Sequence, residues 1–273
     1  MTDDVEVPEP TPEPEVTQDG EPTPQPESTE PEPTEPRRRI DGWSILHGAG
    51  EVLITLGCIL LLFALYELVW TNVTADRHEA DVRHHLVQSF DQPSSGPSAK
   101  PGASPETSQS PEVIKTQPGH AFAVMYIPAL GAHWAKAVVE GVDLSDLKGT
   151  IGHYPQTALP GQIGNFAVAG HRATNGQPLA DVPAIVNGSL VYVRTGAYWY
   201  TYRITKHQIV APNAVQVLLP VPGKPGVKPT KALLTITTCN PRWASFERWI
   251  VSGVLTDTRP ETKGPPPGLD VKG

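Results

Sequence analysis

The residue best suited to covalent chemistry is Cys239, which lies in an apolar, β-branched stretch near the C-terminal end of the chain. A cysteine that attacks a carbonyl must be at least partly thiolate, must have a proton donor for the leaving group, and needs positive charge or N–H groups where the oxyanion develops. Histidine and arginine are the natural suppliers. The alternative interpretation is an inert, buried apolar cysteine.

Arg248 is the first candidate for the positive charge. The β-branched or apolar stretches 233–237 and 249–251 flank a connection that contains a proline, a pattern that predicts a strand, a turn and a second strand. Cys239 should then lie at the end of one strand and Arg248 at the start of the next. Both would occupy one rim of a sheet.

His171 is the first candidate for the proton donor, because it follows an apolar strand pattern, 166–169, through one glycine and precedes a polar loop. His153 is its nearest competitor. Arg172 and Arg242 are alternatives to Arg248, although the sequence favours surface or substrate-rim positions for them. The histidines beyond residue 91 are His120, His133, His153, His171 and His207.

The chain before these residues begins with a predicted disordered tail, residues 1–42. Positions 1–36 contain 12 Asp or Glu, 10 Pro and no Lys or Arg, so they hold too few apolar side chains to offset the entropy of ordering the backbone. Without these 12 acids the net charge of −8 becomes +4, so the whole-chain charge predicts no acidic or basic partner. The tail is either a solvated spacer or a docking surface for cytoplasmic machinery.

An apolar segment follows, and we predict that residues 43–70 cross a membrane as one helix. Its uncharged run, between Glu51 and Glu67, is short for a bilayer. Trp43 and Trp70, however, are about 40 Å apart at helical rise, which suits aromatic rings at two interfaces. Three arginines precede the segment and no cleavage pattern follows it, which predicts an uncleaved anchor, a cytoplasmic N-terminus and an extracellular C-terminal part.

Residues 71–120 are predicted to connect this anchor to the exported domain. Apolar side chains recur every fourth residue within 74–90, as in a short helix. Pro, Ser, Gly and Thr dominate the remainder, which is typical of a flexible linker that holds the next domain off the membrane. The other cysteine, Cys58, lies in the membrane segment, so a disulfide with Cys239 is implausible.

Residues 121–257 form the predicted globular domain, which is long enough to bury a core. Its strand candidates are short, β-branched or aromatic and separated by Pro, Gly, Asn or Asp, whereas helical periodicity is weak and confined to 143–148 and 178–186. This pattern predicts a mostly β, largely antiparallel compact barrel. Residues 258–273 are predicted to be a disordered tail. The strand candidates are 121–127, 137–139, 165–169, 190–194, 199–204, 207–210, 232–237 and 249–255.

The motifs together resemble the sortases, most closely the class E housekeeping sortases of actinobacteria. The resemblance rests on TTC at 237–239 with Arg248 nine positions after the cysteine, and on GN at 164–165 before AGHR at 169–172. It spans about residues 121–257. Supporting segments are GHYP at 152–155, ALPG at 158–161 and WYTY at 199–202.

The resemblance implies an eight-stranded sortase-type β-barrel, preceded by one transmembrane helix, and a cysteine transpeptidase. Cys239 would attack the Thr–Gly carbonyl of a Leu-(Pro/Ala)-x-Thr-Gly-like sorting motif and form a thioester. His171 would protonate the departing amine and deprotonate the incoming amine of a peptidoglycan precursor, while Arg248 would hold the substrate and stabilise the oxyanion. Exported proteins with a C-terminal sorting motif would thereby be anchored to the cell wall.

The resemblance also implies substrate contacts at Thr238, Arg172, Asn175 and Leu179. Asn175 stands where class E enzymes typically have a tyrosine, Leu179 stands where a phenylalanine is usual, and Asn240 stands where a histidine commonly follows the cysteine. Since that tyrosine is associated with preference for Ala in the sorting motif, we expect retained activity with a shifted specificity.

The sequence leaves two other functions open. One is a catalytically degenerate barrel that binds sorting motifs or wall peptides without chemistry, and the other is a thiol hydrolase that uses water in place of the amine. No cofactor or metal is predicted, because no His, Cys or carboxylate cluster has ligand spacing. No nucleic-acid partner is predicted either, because the exported domain lacks a basic stripe.

Overall fold

The computed structural model of the protein describes residues 42–91 and 114–271. The predicted N-terminal tail up to residue 41, and the linker from 92 to 113, lie outside the described residues. The described part contains one long helix, α1 (Gly42–Asp91), and eight strands. The strands are β1 (Ala121–Tyr126), β2 (Ala135–Glu140), β3 (Ile151–His153), β4 (Gly164–Ala169), β5 (Leu190–Arg194), β6 (Tyr198–Val210), β7 (Ala232–Asn240) and β8 (Glu247–Pro260).

Helix α1 joins the predicted membrane segment and the predicted helix 74–90 into one continuous element. It contains no proline and ends two residues before Pro93, which cannot continue a helix. Among the described residues it is the one helix that is long and apolar enough to cross a membrane. The boundary between the two compact units of the chain falls after Leu53, so the rest of α1 belongs to the same unit as the barrel.

The eight strands close into a barrel in the order β1-β2-β3-β4-β7-β8-β6-β5. Two pairs, β2 with β3 and β4 with β7, are parallel, and the others are antiparallel. Every residue of β4 is buried, as expected for a central strand in a parallel pair. The predicted mostly β, eight-stranded fold is therefore confirmed.

Two strands differ from the sequence prediction. Strand β3 has three residues, too few for a β pattern, and was not among the candidates. The candidates 199–204 and 207–210 are one strand, β6, whose long ladder with β8 carries a register shift between Ile204 and Lys206. A bulge of this kind interrupts the alternation of side chains without ending the strand.

Regular secondary structure continues beyond residue 257, where the sequence predicted a disordered tail. Strand β8 continues to Pro260, and a short 3-10 helix, Glu261–Lys263, follows it. Leu269 is buried in a second apolar cluster with Tyr126 and Trp199. This cluster lies apart from the main barrel core, which contains Phe166, Tyr202, Leu234 and Ile236.

Candidate active site

Cys239 and Arg248 occupy facing positions on neighbouring strands. Cys239 is the penultimate residue of β7, Arg248 is the second residue of β8, and the antiparallel register pairs them directly. Directly opposed residues in such a ladder place their side chains on the same face, about 5 Å apart at Cβ. The predicted strand-end placement of both residues is confirmed.

His171 reaches the same rim from the parallel pair β4 and β7. The last pair in this ladder is Ala169 with Thr237, so His171 and Cys239 each lie two residues beyond it. Two bonds keep the chains together past the ladder: the Gly170 amide donates to the Thr237 carbonyl at 3.2 Å, and the Thr238 hydroxyl donates to the Gly170 carbonyl at 2.7 Å.

These three side chains line one cavity of about 190 Å³. It adjoins a second cavity of about 260 Å³, and both are lined by Tyr154, Thr237 and Arg248. The remaining residues that line the larger cavity have apolar side chains. They come from Val210, Ala211, Pro212, Ala214, Val215, Val217, Leu218 and Ile250.

The imidazole of His171 is half-buried, and this burial lowers the pKa of His171 below its ordinary value because it disfavours the charged form. The Asn175 side-chain amide donates to His171 Nε2 at 3.3 Å. A nitrogen that accepts this bond carries no proton, so the contact favours the neutral ring with its proton on Nδ1. Cys239 is a free, half-buried thiol.

The guanidinium of Arg248 is oriented by its own loop. Its Nη1 donates to the carbonyl oxygens of Ser245 at 3.0 Å and Glu247 at 2.9 Å. Because backbone carbonyls fix the orientation of the planar group, positive charge is held at the boundary between the two cavities.

Arg172 differs from its expected surface or rim position. Its side chain is only 8% exposed, and Nη1 donates to Asn240 Oδ1 at 2.8 Å and to the Cys239 carbonyl at 3.3 Å. The guanidinium lies 5.3 Å from the centre of the Trp249 ring. The two acceptors and the aromatic face offset part of the desolvation cost of burying this cation. Arg242 is more exposed, and it donates to Gln177 Oε1 at 2.8 Å.

The other predicted substrate contacts lie in different surroundings. Thr238 lines the smaller cavity, although its hydroxyl is already bonded to the Gly170 carbonyl. Asn175 contacts His171 directly. Leu179 is fully buried in the main core. Its side chain therefore packs beneath the loop that follows His171 and is not accessible to a substrate.

His153, the competing histidine, is a buried structural residue. Its Nδ1 lies 2.7 Å from Glu140 Oε2, and its Nε2 lies 2.9 Å from the Thr157 hydroxyl. Both ring nitrogens therefore have partners away from Cys239. Tyr154, the next residue, was missed by the sequence reasoning: it lines both cavities, and its hydroxyl is 3.1 Å from the Thr237 hydroxyl. Its place in the GHYP segment at 152–155, which supports the family resemblance, was the available signal.

Residues 42–91 and 114–271 contain no group of three or more His, Cys, Asp or Glu side chains arranged to hold a metal ion. The smaller cavity brings together a thiol, an imidazole and a guanidinium. A thiol that shares a cavity with an imidazole and a guanidinium, at the rim of a closed β-barrel, has the groups that thiol-based acyl transfer requires.

Known proteins share this architecture. A family model described as Sortase domain matches residues 125–256. Sortase SrtE1 of Streptomyces coelicolor is 32% identical over 228 residues, which cover 81% of this chain and 60% of that protein, so the chain spans less than two thirds of its length. Sortase SrtE2 of the same organism is 31% identical over 219 residues, covering 77% of this chain and 81% of that protein.

A solved structure agrees with these relatives. The structure of sortase E from Streptomyces avermitilis is 44% identical, covers 56% of this chain and 99% of that chain, and superposes with a TM-score of 0.52. The chain therefore belongs to the sortase family, and these relatives place it in class E.

Proposed function

We propose that this protein is a membrane-anchored cysteine transpeptidase that cleaves a Leu-(Pro/Ala)-x-Thr-Gly-like sorting motif between Thr and Gly. It transfers the acyl group to an amine of a cell-wall precursor. The single observation that carries the proposal is the cavity in which Cys239, His171 and Arg248 meet. Sortase family membership supports the same reaction.

In the first half of the reaction, the Cys239 thiolate attacks the threonine carbonyl carbon. As the tetrahedral intermediate collapses, the C–N bond to glycine breaks, a thioester forms, and protonated His171 gives its proton to the departing amine. Arg248 faces Cys239 across the β7–β8 ladder, where its charge can stabilise the oxyanion. The backbone N–H next to Cys239 would act as a second donor to the oxyanion.

In the second half, neutral His171 takes a proton from the incoming amine, which attacks the thioester. The C–S bond breaks, and the Cys239 thiolate is released for another cycle. Water in place of the amine would give simple hydrolysis. A half-buried imidazole with a lowered pKa is suited to the base in this step, because it is neutral at neutral pH.

The lining of the larger cavity is suited to an aliphatic side chain of the substrate. Its apolar walls between Val210 and Leu218 match a leucine side chain, and it opens beside Arg248 and Tyr154, next to the cavity of the thiol. A bound peptide would place its leucine there and its threonine carbonyl at Cys239. Helix α1 would anchor the enzyme with its N-terminus in the cytoplasm and its barrel outside, where exported proteins with sorting motifs pass.

The test is cleavage of a fluorogenic sorting-motif peptide by the full chain in detergent micelles. Cys239→Ala should abolish turnover, whereas the matched Cys58→Ala variant, altered in the apolar part of α1, should retain it. Mass spectrometry should detect a peptide thioester on the wild-type protein only, and added amine should appear in the product. Cleavage that survives Cys239→Ala contradicts the proposal, binding without thioester indicates a degenerate barrel, and product without amine indicates a hydrolase.

A further inference from the structure

The C-terminal half of α1 packs against the barrel through a buried carboxylate. Glu79 is 2% exposed, and its Oε1 accepts a hydrogen bond from the Ala137 amide of β2 at 2.9 Å. The same carboxylate lies 3.3 Å from Arg83 and 3.4 Å from Lys136. A buried carboxylate with a backbone donor and two cations is fully compensated, which makes this docking specific to one register of the helix.

A second contact fixes the end of the helix. Asp91 accepts a hydrogen bond from Arg194 Nη2 at 2.9 Å, and the Arg194 guanidinium lies 5.5 Å from the centre of the Phe90 ring. The helix is therefore attached to the barrel at two places about three turns apart.

Near the start of the docked region, α1 contacts the loop that follows His171. The Gly176 amide donates to Asn72 Oδ1 at 3.0 Å. The neighbouring Gly149 amide donates to the Asn175 carbonyl at 3.0 Å. Gly149 lies so close to the helix that a Cβ there would collide with the Ala75 carbonyl, which explains the glycine at this position.

Asn175 is held between these contacts in a backbone conformation that needs support. Its φ is +52°, in the left-handed region of backbone conformation that residues other than glycine adopt at a cost in free energy. Its carbonyl is bonded to Gly149, the amide that follows it is bonded to Asn72, and its side chain reaches His171 Nε2. Removing one of these supports should let the loop relax away from the imidazole.

We propose that Asn72 of α1 is a positioning residue for His171, acting through Gly176 and Asn175. The anchor helix thereby completes the support of the candidate active site, and it does so two residues after Trp70, at the end of the apolar part of α1. The inference rests on the proposed function, because it gives a role to the position of His171.

The contact has a defined chemical effect. The Asn175 amide that donates to Nε2 stabilises the neutral imidazole. The other ionisable groups that line the same cavity are Tyr154, Cys239 and Arg248, and Arg172 is the next residue in the chain. Loss of the hydrogen bond from the Asn175 side-chain amide should make His171 easier to protonate, and it should leave the imidazole less well positioned. Turnover should then fall through kcat, because substrate contacts elsewhere are unchanged.

The decisive experiment compares Asn72→Ala with Asn72→Asp in the full chain in micelles, with exposed His78→Ala on the same helix as a control. The aspartate keeps the acceptor oxygen for Gly176. We expect kcat to fall about tenfold in Asn72→Ala with KM within about twofold, and to recover most of the loss in Asn72→Asp. Hydrogen exchange of the Gly176 amide should accelerate in the alanine variant alone.

Wild-type kcat and unchanged Gly176 exchange in Asn72→Ala would overturn the inference, and so would equal kcat losses in the alanine and aspartate variants. Failure of the inference is separable from failure of the proposed function. Cleavage that is lost in Cys239→Ala but intact in Asn72→Ala rejects only the role of Asn72. Cleavage that survives Cys239→Ala rejects the reaction, whereas Gly176 exchange still reports whether Asn72 holds the loop.

Discussion

The two halves of the candidate active site are held in different ways. Cys239 and Arg248 lie on β7 and β8, where a continuous ladder of backbone hydrogen bonds fixes their separation. His171 lies past the end of β4, where side chains from Thr238 and Asn175 and a bond to α1 hold the loop. One half is therefore placed by regular structure, and the other by contacts between residues far apart in sequence.

Arg172 joins the two halves. It belongs to the loop of His171, but its guanidinium bonds the carbonyl of Cys239 and the side chain of Asn240 at the end of β7. A change in the loop is thereby transmitted to the strand that carries the thiol. Because the β7–β8 ladder also holds Cys239, a change in the loop should displace His171 more than Cys239, and Arg172 is the contact through which part of that change would reach Cys239.

The largest effect is expected from removal of the loop-held group itself. His171→Ala should lower kcat/KM by about 10³-fold, because general acid–base catalysis typically contributes 10²–10⁴-fold. The exposed His120→Ala variant serves as the control and should match the wild type. Peptide turnover gives the rates, and alkylation of Cys239 by iodoacetamide shows whether the thiol remains accessible. A His171→Ala enzyme with near wild-type turnover would mean that the loop supplies no essential group.

An intermediate effect is expected from the link between the halves. Arg172→Lys removes the planar group that bonds both Asn240 and the Cys239 carbonyl, and should destabilise the protein by about 1–3 kcal/mol. The matched substitution Arg242→Lys, at a more exposed position on the same rim, should cost no more than about 0.5 kcal/mol. Thermal unfolding of both variants in micelles measures the difference. Equal effects would show that burial of Arg172 contributes nothing specific.

The strand-held half was the part that the sequence could predict. The β-branched run before Cys239, the proline-containing turn and the second apolar run are local signals, and they place Cys239 and Arg248 correctly at strand ends. The strand pattern also predicted a compact β-barrel, and the family resemblance specified its eight-stranded type. The apolar strand pattern before Gly170 also predicted that His171 lies at the rim of the sheet. It could not predict that Asn175 would contact the imidazole.

The loop-held half depends on contacts that no local pattern contains. Asn72 and Gly176 are 104 positions apart, and Arg172 meets Asn240 across 68 positions. An arginine in a polar loop is expected from its residue type to lie at the surface. Arg172 is buried instead, because the folded chain places hydrogen-bond acceptors and the Trp249 ring around it. The sequence did not predict strand β3 for a related reason. Its three residues form a strand only because β2 and β4 lie on either side of it.

The smallest effect concerns the charge state of His171. Burial holds its pKa in the folded protein below the ordinary value, so below about pH 6.5 the unfolded chain binds more protons at this residue than the folded one does. Stability from this group is therefore present above about pH 6.5 and is lost as the pH falls from there through the lowered pKa of His171 in the folded protein. His171→Gln, which cannot titrate, should narrow the difference in thermal midpoint between pH 8 and pH 5.5, with His120→Gln as the exposed control. If His171→Gln and the wild type lose the same stability on acidification, the loop does not keep the imidazole neutral, and the contrast between the two halves of the site is then one of geometry alone.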